Sequence, residues 1–295
     1  MVALRYKAMG MDGLYNGSES ISEAEFFDPA GPYQYSVLPR SMRTQAVVAS
    51  AMYSPADFVT FSVMVPYLFK EMDMLTRSGV DFRTRSNGIG DVRLTAMSQM
   101  RTQKNGYLQV KLGLSFPSGS IDEKDDTPMS GGAKVQLPYL MQIGSGTWDL
   151  LPSATVGGDM GRFAWGFQAG GVIRMTTNKN GYKRGNLYEF TGWGEWAFTR
   201  WLAASVRLAW KEEFQFKGSD DRLPPMAPSM TPSADPENLG LEQFDGFLFI
   251  QVLGLGGWMT GNQIALEIGM PLWQSTSGPG LARSFLITLG VTRQF

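Results

Sequence analysis

The sequence predicts an all-β protein: a transmembrane, antiparallel, up-and-down β-barrel of about twelve strands, forming one domain over residues 1–295. Three observations carry this. The stretch 284–295 (SFLITLGVTRQF) places Phe285, Ile287, Leu289 and Val291 on one face, and Ser284, Thr288, Gly290, Thr292 and Gln294 on the other, with Leu286 the single apolar intruder. Such two-residue spacing is the mark of a strand with one greasy side. About a dozen further segments repeat the pattern, and the links between them alternate between short and long.

Composition supports the class. Charged residues are 18% and aromatics 12%, with 35 glycines. Mean hydropathy is −0.14, a value compatible with a membrane barrel because such a barrel hides its apolar residues at alternate positions. No apolar run of about 18 residues occurs, which excludes helical membrane spans. The net charge of −1 argues against a nucleic-acid partner. The chain has no Cys and no His, so disulfides, thiolate chemistry and the usual general base and zinc ligand are missing together. No cofactor, metal site or catalytic residue is expected. Residues 1–10 carry Arg5 and Lys7 but no apolar segment of the kind found in export signals; an export signal is therefore expected to lie outside this sequence.

In order, strands are expected at 2–11, 42–53, 58–74, 89–102, 107–116, 147–156, 163–176, 187–198, 202–217, 244–259, 263–274 and 284–295. The short links are 54–57, 104–106, 157–161, 199–201 and 260–262; Asn105-Gly106 is a strong hairpin signal. The long links are 12–41, 77–88, 117–146, 177–186, 218–243 and 275–283. Short inner turns, long outer loops and an even number of crossings follow, with both termini on the short-turn side. The segment 218–243, rich in Pro, Asp and Ser, reads as a loop without regular structure.

Facing follows from what alternates. Leu108, Val110, Leu112 and Leu114 oppose Gln109, Lys111, Gly113 and Ser115, and Ile264, Leu266 and Ile268 oppose Ala265, Glu267 and Gly269. The apolar faces suit lipid and the mixed faces suit a hydrated lumen. Trp165, Trp196, Phe198, Trp201, Trp210, Trp258 and Trp273 lie near strand ends, as a membrane girdle requires.

Several stretches carry a resemblance. They are Met11-Asp12-Gly13 with Asn16-Gly17, MVPYLFKEMDMLTRSG (64–79), RSNGIGDVRL (85–94), GLSFPSGSID (113–122), LPYLMQIGSGTWDLLPS (137–153) and NGYKRGN (180–186). Together they resemble the bacterial outer-membrane proteins named for the meta-cleavage pathway of phenol degradation. The ending on Phe295 is similar to the C-terminal signal strand of outer-membrane barrels, although Arg293 departs from it. The resemblance implies an outer-membrane location, insertion machinery as a partner through that strand, and a barrel that passes small solutes, hydrophobic or aromatic ones included. It supplies no catalytic residues, and no enzyme is expected.

Two sets of candidate residues remain. Arg93, Lys111, Arg174, Glu189, Glu195, Arg207, Lys211 and Glu267 share the expected inner face. They form either a selectivity ladder for anionic solutes or a set of cross-strand braces in a closed lumen. Met9 with Met11, and Met72 with Met74, are Met-x-Met pairs facing inward near the outer end. A Cu(I)-handling constriction is one reading, and a flexible apolar lining is the other. The functional alternative to a channel is a structural or partner-binding barrel whose long outer loops do the work.

Overall fold

The computed structural model describes residues 1–101, 105–256 and 260–295. Its strands are β1 (Val2–Gly17), β2 (Glu19–Ile21), β3 (Val37–Ala56), β4 (Val59–Thr76), β5 (Asp81–Ile89), β6 (Arg93–Arg101), β7 (Gly106–Ser115), β8 (Lys124–Asp125), β9 (Val135–Gln136), β10 (Asp149–Met160), β11 (Phe163–Arg174), β12 (Leu187–Ala197), β13 (Leu202–Glu213), β14 (Leu241–Leu253) and β15 (Asn262–Arg293). Two one-turn helices, α1 (Glu23–Phe26) and α2 (Ala227–Met230), lie in outer loops.

The ring runs β1, β3, β4, β6, β7, β10, β11, β12, β13, β14, β15 and back to β1. β15 pairs antiparallel with β14 from Leu253↔Gln263 to Leu241↔Thr276. It then pairs antiparallel with β1 from Gly17↔Thr276 to Val2↔Arg293. It therefore climbs and descends within one unbroken strand, so the eleven strands of the ring make twelve crossings. Gln274 locks the two arms side by side: its Nε2 donates to the Arg283 carbonyl at 3.2 Å and its Oε1 accepts from the Arg283 amide at 3.0 Å. Closure pairs β15 with β1, so the ring has no open seam between its first and last strands, the condition for a sheet in lipid.

The outer surface of the wall is apolar because alternate residues put it there. Leu94, Leu112, Val156, Phe167, Val206, Leu248, Ile250 and Leu289 are all exposed, which only a lipid environment makes favourable. Trp196, Phe198 and Trp201 are exposed at the turn end of β12 and β13, and Trp273 toward the loop end of β15. Trp258 and the residues 102–104 beside the Asn105-Gly106 turn lie outside the described residues.

Five expectations are corrected. Residues 275–283, expected as a link, belong to the continuous strand β15. Residues 77–88 are a hairpin arm, β5, paired to the upper half of β4 from Tyr67↔Ile89 to Leu75↔Asp81. Its outward face carries Arg83 and Arg85, bound to Asp73 at 2.6 Å and Glu71 at 2.9 Å, so it lacks the apolar alternation that marks a strand in lipid. The first strand continues to Gly17, past irregularities between Met11 and Leu14, and so projects above the membrane. β14 ends at Leu253, since Gly254 and Gly256 follow it and glycine weakens strands. Finally, 218–243 holds α2 and two short 3-10 turns, begun at Pro232 and Pro236.

Candidate functional site: a charged lumen beneath an outer plug

Cross-strand register places the mixed-polarity positions on one side of the wall. Met97↔Lys111, Lys111↔Ser153, Gly170↔Glu189, Glu189↔Lys211, Trp193↔Arg207 and Phe249↔Glu267 are facing pairs, as are Arg93↔Ser115, Asp149↔Arg174 and Ala164↔Glu195. All eight charged candidates thus share the face opposite the exposed leucines, but they divide into two groups.

One group is braced. Arg207 meets Glu267 at 2.9 Å, with its guanidinium 3.7 Å above the Phe247 ring. Lys211 meets Glu213 at 3.5 Å, and Arg184 reaches the same carboxylate at 3.1 Å. Arg174 is paired with Asp149, both side chains buried. Glu195 accepts from Gln251 at 3.2 Å through each oxygen.

The other group is not braced. Arg93 and Lys111 make no ion pair among the described residues, and neither do Arg5 and Lys7 of β1. Arg5, Arg93, Lys111 and Glu189 line one cavity of about 360 Å³, together with Ser62, Thr95, Ser153 and Gln168. Arg5 and Lys7 were missed as site residues although they share the parity of Met9 and Met11; the alternation of the first strand was the signal that could have found them. Three cations against one carboxylate leave this chamber electropositive.

Above it, the segment between β7 and β10 folds inward as a plug. The main ring is interrupted where β4 changes partner from β5 to β6, at Gly90, Asp91 and Val92. Asp91 holds both roots of the plug there: its Oδ1 accepts from the Gly119 amide at 2.9 Å, and its Oδ2 from the Ser145 amide and hydroxyl at 2.8 and 2.7 Å. Lys70 donates to the carbonyls of Leu140 and Gln142 at 2.8 and 2.7 Å, and Ser86 donates to that of Met141 at 2.6 Å. Gly144 and Gly119 pass so closely that a Cβ on Gly144 would sit 2.3 Å from the Gly119 carbonyl oxygen.

The methionines meet this plug. Met72 and Met74 are buried with Met42, Val37 and Leu281 against Leu137 and Met141 of the plug, and Met11 packs on the same cluster. Met9 and Met11 also border a cavity of about 190 Å³ beside Lys70 and Arg283. From the plug, Tyr139 packs edge-on against Tyr182 and Phe216, at 4.8 and 5.5 Å between ring centres. Burial raises the Tyr139 and Tyr182 hydroxyls above the ordinary phenol value. At the outer surface Asp122 binds Lys179, Asn180 and Arg222. Burial acts to raise its pKa, but these bonds and charges outweigh it and hold the carboxyl below its usual value.

Residues 34–226 match the family described as "Putative MetA-pathway of phenol degradation". The chain belongs to that family. A comparison with curated proteins gives no match. Among solved structures, the chain is similar to an outer-membrane channel from Pseudomonas putida F1, at 14% identity and a TM-score of 0.63, covering 100% of this chain and 94% of that one. It is also similar to the transport unit of the autotransporter AIDA-I from Escherichia coli, at 10% identity and a TM-score of 0.53, covering 100% and 90%. At these identities the likeness establishes the fold, that of an outer-membrane β-barrel, which this member of the family shares.

Proposed function

We propose that the protein is a passive channel of the bacterial outer membrane, passing small solutes and favouring anionic ones, aromatic acids included. The observation that carries this reading is the chamber of about 360 Å³ lined by Arg5, Arg93 and Lys111, which make no ion pair among the described residues. A barrel whose interior served only as scaffold gains nothing from unpaired cations, whereas a ring of them raises the local concentration of anions and lowers their barrier to entry. The name of the similar Pseudomonas putida protein supports a channel. Swelling of liposomes carrying the purified protein, in sugars and in aromatic acids, tests it; sealed liposomes would refute it.

The plug favours a second reading. Its fastening by Lys70, Ser86 and Asp91 suits a barrel that is closed at rest, with outer loops that bind a partner. That reading expects no flux, and loss of partner capture on deletion of loop residues in 18–36 or 218–240. Met72 and Met74, covered by plug side chains, and Met11 beside them favour the reading of the Met-x-Met pairs as adaptable packing over that of a Cu(I)-handling constriction. The last strand is the expected contact for the insertion machinery.

A further inference from the structure

Among the described residues, the electropositive chamber is lined by one carboxylate, that of Glu189 on β12. Its cross-strand neighbour on β13 is Lys211, but that ammonium is engaged with Glu213 at 3.5 Å. Glu189 therefore makes no ion pair among the described residues, as Arg5, Arg93 and Lys111 make none. These side chains keep accessible surface: Arg93 is exposed, and Arg5, Lys111 and Glu189 are half-buried. The chamber thus offers free charge of both signs.

Register fixes how the two signs are laid out. Lys111 of β7 faces Ser153 of β10, Ser153 faces Gly170 of β11, and Gly170 faces Glu189. Lys111 and Glu189 are thus the two ends of one row, about 14 Å apart along the wall at about 4.8 Å per strand. The positions between them carry a hydroxymethyl group and a hydrogen, so no large side chain fills the interval. Arg93, on the adjacent strand β6, adds a second cation to the cavity from the Lys111 side.

An anion drawn to Arg93 and Lys111 meets a carboxylate of its own sign at the other end of the row. An ammonium on the same solute turns that repulsion into attraction, and a solute carrying only positive charge is opposed by the three cations. We propose that the chamber selects zwitterionic solutes of the amino-acid type, with an acid group held by Lys111 and Arg93 and the ammonium held by Glu189. Glu189 is then a specificity-determining residue, discriminating among the anions that the cations admit. At about 360 Å³ the cavity has room for one such molecule and some of its water. The place of this site on a solute path rests on the channel reading; its charge pattern does not.

The test compares glutamate with glutarate, the same skeleton without the ammonium, by calorimetric titration of the full chain in one detergent at pH 7. Glutamate is expected to bind about tenfold tighter than glutarate, the effect of one charge-assisted hydrogen bond. Glu189→Gln is expected to abolish the preference, weakening glutamate about tenfold while glutarate binds as tightly as before or more so. Lys111→Gln is expected to weaken both ligands. Equal binding of the two by the wild type, a comparison that needs no variant to fold, would overturn the proposal. So would a preference retained in Glu189→Gln, or indifference of both ligands to Lys111→Gln. Ion currents from the same preparations separate the two claims: current without a preference for glutamate sinks only this site, and that preference without current sinks only the channel.

Discussion

Lys70 extends from β4 to place its side-chain nitrogen 2.7 Å from the carbonyl of Gln142, with the Leu140 carbonyl at 2.8 Å. One side chain thereby satisfies two backbone acceptors of the plug. Lys70→Met keeps the stem and removes the donors, leaving each carbonyl without its partner at about 1–3 kcal/mol if water does not reach it. The plug is then expected to loosen while the wall stays intact. Single-channel recordings should show larger or more frequent openings than in the wild type, with unchanged heat-modifiable migration on gels; unchanged currents would count against the plug as a gate.

The division of the lumen charges makes a second expectation. Replacing Arg93 and Lys111 together by Gln removes unpaired cations, and should shift the reversal potential in a salt gradient toward cations, changing the anion-to-cation permeability ratio several-fold. Replacing Arg207 and Glu267 together by Gln removes a neutral pair 2.9 Å apart and should barely move it. Equal effects from both double variants would contradict the two-group description.

Acid should loosen the outer loops. The folded carboxyl of Asp122 lies below its ordinary value of 3.8, so its contribution to loop order is complete above that value and is lost as the pH falls through the lower, folded one. Hydrogen exchange is expected to show the 117–126 and 178–182 segments equally protected at pH 7 and pH 5, and loosened only once the pH has fallen below the ordinary carboxylate value. Asp122→Asn should show the loose behaviour throughout. Unaltered protection in that variant would mean that the clamp is ornamental.

Gly144→Ala tests the plug roots. The added methyl would meet backbone, not a pliable side chain, at the Gly119 carbonyl, so the two roots must part. Limited proteolysis is expected to cut within residues 120–143 faster than in the wild type. A cleavage pattern like that of the wild type would show that the crossing has slack.

What the sequence reveals here depends on whether a contact leaves a pattern. Lipid demands an apolar residue at every second position, so the wall carried by Leu94, Leu112, Val206 and Leu289 was legible, along with its short-turn and long-loop rhythm. β5 was not, because above the membrane its outward arginines answer Asp73 and Glu71 and no greasy period remains. The plug was the least legible part. Lys70 binds main-chain carbonyls 70 and 72 positions away, and every residue owns such an acceptor. The charged candidates were found by face, but only partners on neighbouring strands and loops separate the free Arg93 and Lys111 from the neutralised Arg174 and Arg207.

The pairing of Val2 with Arg293 has a bearing on how such a molecule is made. The seam joins the first and last strands of the ring, so every precursor without both must carry two raw ribbons of amide hydrogens and carbonyls into an oily surround or be shielded from it. Contacts so distant along the chain also form slowly. Assembly should therefore be a single late event, in which the twelfth crossing arrives and the whole wall becomes watertight at once.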